Sequence, residues 1–297
     1  MPTTRVFILT LIALVAFAGN SLLCRAALSR TQIDAATFTT VRLVSGAVIL
    51  WLLVWRRGGV KGGRGSWLSG LALFAYAAGF SFSYLNLSAS AGALLLFGAV
   101  QTTMIAYGLW QGERMRLAQL LGLLLAGAGL IGLLLPGLSA PPFLSAVLML
   151  GAGIAWGMYS LRGKGAGDPL QVTAGNFVRA AAMALILSAV LHRGASIDPA
   201  GVWYAFLSGA LASGVGYAIW YTALPFLKST TAATVQLSVP VIAALGGVFF
   251  LAEPISLRLL VASLAIIGGI ALVVLAGKPQ QTPHNSLKHE VTDRPQA

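Results

Sequence analysis

Apolar residues run through this chain in long stretches, broken at short intervals by clusters of glycine, proline, serine and arginine. Ten stretches stand out as elements: 6–25, 35–55, 67–86, 91–110, 116–135, 143–162, 171–191, 201–224, 229–251 and 257–276. Each is close to the roughly 20 apolar residues that an α-helix needs to cross a bilayer. The pattern predicts an all-α integral membrane protein of ten transmembrane helices.

The stretches also repeat. Arg42 in the second and Arg179 in the seventh lie 137 positions apart (179 − 42), and the same offset pairs Arg25 with Arg162, Phe80 with Tyr217 and Tyr84 with Tyr221. After a small length difference, Glu113 pairs with Glu253 and Gly129 with Gly269. The chain divides into two five-helix repeats, 5–135 and 143–276, joined at Leu135–Pro142, where proline and glycine cannot continue a helix. Five is odd, so the second copy enters the bilayer inverted. Inverted repeats of membrane helices are the signature of secondary transporters, with the substrate held in a central cavity at the repeat interface. The polar tail 277–297 lacks apolar periodicity and is expected to be disordered.

Composition narrows the class. The chain is 58% hydrophobic and only 9% charged, against roughly 25% charged in a soluble protein. The net charge of +12 would suggest a nucleic-acid partner in a soluble chain, but its placement argues for the lipid bilayer instead. With a cytoplasmic N-terminus, 13 of the 19 Lys and Arg fall in cytoplasmic segments. The positive-inside rule then predicts an inner-membrane protein with both termini cytoplasmic. Arg5 followed by an apolar run ending near Ala18 resembles a cleavable signal peptide, but that run is needed to pair with the sixth.

Cys24 is the single cysteine, which excludes an intramolecular disulfide, and His192, His284 and His289 lie at a span end or in the tail. No metal centre and no cofactor are expected. The glycines of 58–65 and Gly163-Lys164-Gly165 lack the order of a phosphate-binding loop. With no nucleophile–base pair in view either, the chain is not expected to be an enzyme.

The candidate chemistry lies inside the spans. Tyr76, Phe80 and Tyr84 follow one another at four-residue spacing, which places them on one helix face, and Tyr217 and Tyr221 repeat the arrangement. Such stripes can hold an apolar or aromatic side chain or fill gaps between helices. Asn20 and Gln101 are amides near span centres, accompanied by Trp156 and Tyr159 in the sixth span. A buried amide must be paired, and amides serve both the carboxylate and the ammonium of an amino acid. These nine residues form the expected substrate site. Arg42 and Arg179 are basic residues within spans and are expected to play a gating or structural part. Glu113 and Glu253 precede the fifth and tenth helices and suit the positive helix start, with Arg114, Arg116 or Arg258 as partners. Pro240 is expected to kink the ninth span. Small residues spaced by four, as in Gly122/Ala126 and Ala265/Gly269, allow close helix approach, within a monomer or in a homodimer. None of the seven acids lies at the middle of a span, so facilitative transport without obligatory proton coupling is expected.

Ala155-Trp156-Gly157-Met158-Tyr159, Trp220-Tyr221-Thr222-Ala223-Leu224, Ser238-Val239-Pro240-Val241 and Ala252-Glu253-Pro254 occur in this order in the second half. The series resembles the EamA-type repeat of the drug/metabolite transporter superfamily, over essentially 5–276. The first half diverges, with Ala18-Gly19 where the family often has Trp-Gly and Val100 where it often has proline. The resemblance implies a ten-helix inverted-repeat carrier. Helices 1, 3, 4, 6, 8 and 9 would surround the cavity, with 5 and 10 packed outside. The aromatic lining looks most like the amino acid exporters of the YddG type, which implies export of small amphipathic metabolites such as apolar or aromatic amino acids. A broad exporter of drugs or lipophilic cations is the alternative within transport, and a membrane enzyme or non-transporting scaffold lies outside it.

Overall fold

The computed structural model describes residues 2–59, 65–112, 115–135, 137, 140–163, 167–227 and 235–276. Glu113, Arg114, Lys164 and Gly165 lie outside the described residues, as do 60–64 of the glycine-rich loop, 229–234 of the ninth span and the tail 277–297.

The described residues form ten main helices, α1 Thr3–Arg30, α2 Ala35–Arg56, α3 Trp67–Tyr84, α4 Ala89–Trp110, α5 Leu117–Leu134, α6 Phe143–Gly163, α7 Pro169–Val190, α8 Pro199–Phe226, α9 Ser238–Leu251 and α10 Leu257–Ala276, with a short 3-10 turn at His192–Gly194 between α7 and α8. Eight are long and apolar enough to cross a membrane, and α3 and the shorter α9 complete the set. The protein is a multi-pass, all-helical membrane protein. The helix starts follow from short polar side chains placed just before apolar runs. Ser66, Ser88, Asp168 and Asp198 each accept a hydrogen bond from a backbone amide of the first turn of the helix that follows. Pro169 and Pro199 then occupy the first helical position, where the missing N–H costs nothing.

Asp34 caps α2 in the same way and also ties two connections together. Its carboxylate accepts the amides of Ala36 and Thr37 at 2.9 Å each and that of Ser196, between α7 and α8, at 2.9 Å. Burial works against its ionised form, but the hydrogen bonds from Thr37, Ser196 and Ala36 outweigh it and hold the carboxyl below its ordinary value. A lowered folded-state value means stabilisation that is fully present above the unfolded pKa of about 3.9 and fades as pH falls through it. Asp34→Ala is expected to cost about 1–2 kcal/mol at neutral pH. The gap in melting temperature from the parent protein should narrow below about pH 4.

Two spans depart from regular helix. The 201–224 stretch forms one rod, α8, but its middle, Ser208–Val215, is wound as a π-helix between two α-helical parts. This stretch packs backbone against backbone on α2, where a Cβ on Gly209 would overlap the Arg42 carbonyl and the Ser45 hydroxyl. Wide turns of this kind cluster at functional sites. In the ninth span, the described helix at Val235 and Gln236 is interrupted at Leu237 and resumes as α9 at Ser238, so Pro240 stands in the first turn after the interruption. The interruption falls just before Pro240, on the side where proline lacks a helical donor and its ring crowds the carbonyl four positions back, so the ninth span departs from regular helix where the proline predicts it.

The small-residue stripes serve internal packing. A Cβ on Gly122 would approach the Gly269 carbonyl to 2.6 Å, and one on Gly129 the Ala265 methyl to 2.8 Å, so α5 and α10 lie in direct backbone contact. They form a pair on the outside of the bundle.

Candidate functional site

The other helices enclose a cavity of about 360 Å3, within the usual range of small-molecule sites. Its wall comes from α1, α3, α4, α6, α7 and α8, with Gln236 just before α9. The lining runs from mid-helix to the end of the bundle at which α1 and α3 begin, ending at Gly163, Pro169, Leu227 and Gln236. Among the described residues, no charged side chain lines it.

Eight of the nine residues expected to hold substrate lie on this wall: Asn20, Tyr76, Phe80, Gln101, Trp156, Tyr159, Tyr217 and Tyr221. Trp156 is the hub. Its ring centroid lies 4.8 Å from that of Tyr76, 5.3 Å from Tyr159 and 5.2 Å from Tyr217. Phe17 joins edge-on to Tyr217 at 5.7 Å and to Trp220 at 5.8 Å. These rings come from α1, α3, α6 and α8, so the aromatic surface spans both halves of the chain. Such a wall offers ring faces and edges to an apolar or aromatic group.

Tyr84 is the ninth, and it does not line the cavity. It is fully buried one turn beyond Phe80, its ring edge-on to that residue at 4.7 Å, and its hydroxyl donates to the Ala89 carbonyl at 3.3 Å. It fits closely against Gly92, where a Cβ would collide with the ring. At the end of α3, the stripe has passed from the cavity into the contact with α4.

Several lining residues escaped the sequence reading. Phe17, Phe97, Met104 and Trp220 are apolar residues in apolar spans, which no pattern distinguishes from packing. Asn176 is different. It is a buried amide inside the seventh span, and the rule that selected Asn20 and Gln101 would have found it. Its Oδ1 accepts the Ser66 amide at 2.9 Å. With Val172 and Thr173 it puts α7 on the cavity, a helix that the family resemblance left out.

The polar side chains of the wall are held individually. The Asn20 amide nitrogen donates to the Tyr76 hydroxyl at 3.2 Å, and its oxygen accepts the Ser208 hydroxyl at 2.6 Å. Gln101 makes no hydrogen bond to another described residue and opens onto the cavity. Behind the wall lies Arg42, only 1% exposed. Its guanidinium donates from Nη2 to the Tyr76 hydroxyl at 2.9 Å and sits 5.1 Å and 4.8 Å from the ring centroids of Tyr76 and Phe80. Arg179 sits elsewhere. It is half-buried, donates to the Gly175 carbonyl at 2.7 Å and lies 5.6 Å from the Trp67 ring, at the start of α3.

At the opposite end of the bundle, an ion pair joins the two halves. Arg25, near the end of α1, donates from Nε to Glu253, just after α9, at 3.1 Å. Its Nη1 donates to the carbonyls of Tyr84 and Leu85 at 3.0 and 3.1 Å, and Glu253 accepts the Ala89 amide at 2.8 Å. The sequence pointed to Arg258 as the partner of Glu253, but Arg258 donates instead to the Leu135 carbonyl. Ala252, in the left-handed conformation at φ 55°, turns the chain back so that Glu253 faces Arg25.

A ten-helix bundle with a cavity between two halves defines a membrane carrier for small solutes. The sequence pattern of the EamA-like transporter family matches residues 4–135 and again 143–275. The chain belongs to that family, in the drug/metabolite transporter superfamily. It is 56% identical over 275 residues to the Pseudomonas aeruginosa protein described as "Uncharacterized protein PA1977", an alignment covering 92% of this chain and 96% of that one. A crystal structure titled only as that of a protein shares the fold, with a TM-score of 0.66 at 18% identity over 93% of this chain and 99% of its own.

Proposed function

We propose that this protein is an inner-membrane carrier that exports small amphipathic metabolites, above all apolar or aromatic amino acids, by facilitative alternating access. The observation that carries the reading is the cavity wall itself. Rings gathered around Trp156 suit an apolar side chain, and the amides of Asn20 and Gln101 suit the polar end of an amino acid. No carboxylate or histidine stands among the described lining residues. This favours transport that needs no proton relay, and it counts against the rival reading, an exporter of lipophilic cations. With the lysine- and arginine-rich connections in the cytoplasm, the cavity faces the cell interior and the Arg25–Glu253 end faces out.

Uptake of labelled aromatic and large apolar amino acids into proteoliposomes, without ion or pH gradient, tests this. Saturable uptake that unlabelled substrate suppresses is the expected result. Uptake that begins only under an imposed pH gradient would sink the facilitative mechanism. Competition by quaternary amines but not by amino acids would transfer the assignment to the cation exporter.

A further inference from the structure

The cavity wall is neutral, yet a full positive charge lies directly behind it. Arg42 has five N–H donors in a rigid fork. One nitrogen serves the Tyr76 hydroxyl, while Nε and Nη1 are buried without a hydrogen-bond partner among the described residues. No carboxylate among the described residues pairs with it, since the one ion pair there is Arg25–Glu253. The ring faces of Tyr76 and Phe80 offset part of the cost of burying this cation, but an uncompensated charge inside a membrane bundle is expensive. An anion arriving in the cavity would lower that cost.

Tyr76 is the side chain that connects charge and cavity. Its oxygen accepts from Arg42 at 2.9 Å and from Asn20 at 3.2 Å, so both lone pairs are engaged by donors. Ser208 holds the Asn20 oxygen at 2.6 Å and thereby turns the amide nitrogen toward Tyr76. The phenolic proton therefore has no acceptor among these neighbours, and Tyr76 borders the cavity. A hydroxyl that accepts from a guanidinium is polarised and becomes a stronger donor.

We propose that the Tyr76 hydroxyl, charged from behind by Arg42, is the anchor for the anionic group of the substrate, so that the carrier selects carboxylates and rejects amines that lack one. This rests on the reading of the cavity as an amino acid site and adds which end of the substrate is recognised. In the bound pose, the carboxylate lies against Tyr76 and the apolar side chain extends along Trp156 and Tyr217. Arg42 acts through Tyr76 and is a positioning residue. The ammonium group is not required.

Thermal stabilisation of the purified full-length protein by four separate probes tests this: phenylalanine, 3-phenylpropionate, phenylalaninamide and phenethylamine. The two carboxylates are expected to stabilise at concentrations about tenfold lower than the two amines, the discrimination typical of one charge-assisted hydrogen bond. Tyr76→Phe keeps the ring and removes only the hydroxyl, and Arg42→Gln removes the charge. Either should bring the carboxylates to the level of the amines, a change in selectivity that a purely structural defect would not cause. Equal stabilisation of the parent protein by all four probes would overturn the anchor while leaving an amphipathic site intact. Stabilisation by the amines alone would overturn both the anchor and the amino acid reading, as would no response to any probe.

Discussion

Trp156→Ala is expected to lower the initial rate of amino acid uptake into proteoliposomes by one to two orders of magnitude at subsaturating substrate. Trp156 touches Tyr76, Tyr159 and Tyr217 together, and so joins α6 to rings from α3 and α8. Buried aromatic anchors at the centre of a binding surface typically cost about 2 kcal/mol or more when truncated, which is roughly 30-fold in affinity. The same substitution removes support from three neighbouring rings, so the loss should exceed that of any peripheral ring. Trp156→Phe keeps a ring face and should retain a substantial share of uptake. An unchanged rate for Trp156→Ala, in protein that elutes as the parent does on size exclusion, would show that the aromatic surface is packing alone.

Separating Arg25 from Glu253 is expected to reduce uptake about tenfold without abolishing membrane insertion. A solvated surface pair is worth about 0–1 kcal/mol, and breaking it would leave the rate nearly unchanged. This pair is different in placement. Its side chains are 22% and 11% exposed, it links the first half of the chain to the second, and it holds backbone groups of the α3–α4 connection as well. If it closes this end while the cavity faces the other, then Arg25→Gln and Glu253→Gln should impair the carrier by similar amounts. The double variant should be little worse than either single one, the coupling that a double-mutant cycle measures. Independent, additive losses would assign the two residues to separate structural tasks.

Much of the fold could be read from the apolar pattern, because a bilayer leaves a spanning chain little alternative to helices. The duplication was legible too, since arginines and tyrosines are sparse enough in apolar sequence for a constant offset to stand out. What remained hidden is local or long-range. The π-wound middle of α8 depends on the approach of Gly209 to α2. Tyr84 shares its spacing with Tyr76 and Phe80, but spacing does not tell where a helix leaves the cavity and meets its neighbour. Arg258 is near Glu253 in sequence, whereas Arg25 is 228 positions away, so only the folded chain reveals the pair. Asn176 was within reach of the buried-amide argument.

The wide turn in α8 has a geometric consequence. An α-helix advances about 100° per residue, and a π-turn accommodates one extra residue without lengthening the rod by a full step. Everything after Ser208–Val215 is therefore rotated relative to the part that precedes it, and Tyr217, Trp220 and Tyr221 all lie on the rotated side. The phase of these rings around the axis of α8 thus depends on a residue count as well as on their contacts with Phe17 and Trp156. Removing one residue from that stretch would act as a quarter-turn of a dial, swinging the aromatic face away from the cavity while leaving every ring in the chain.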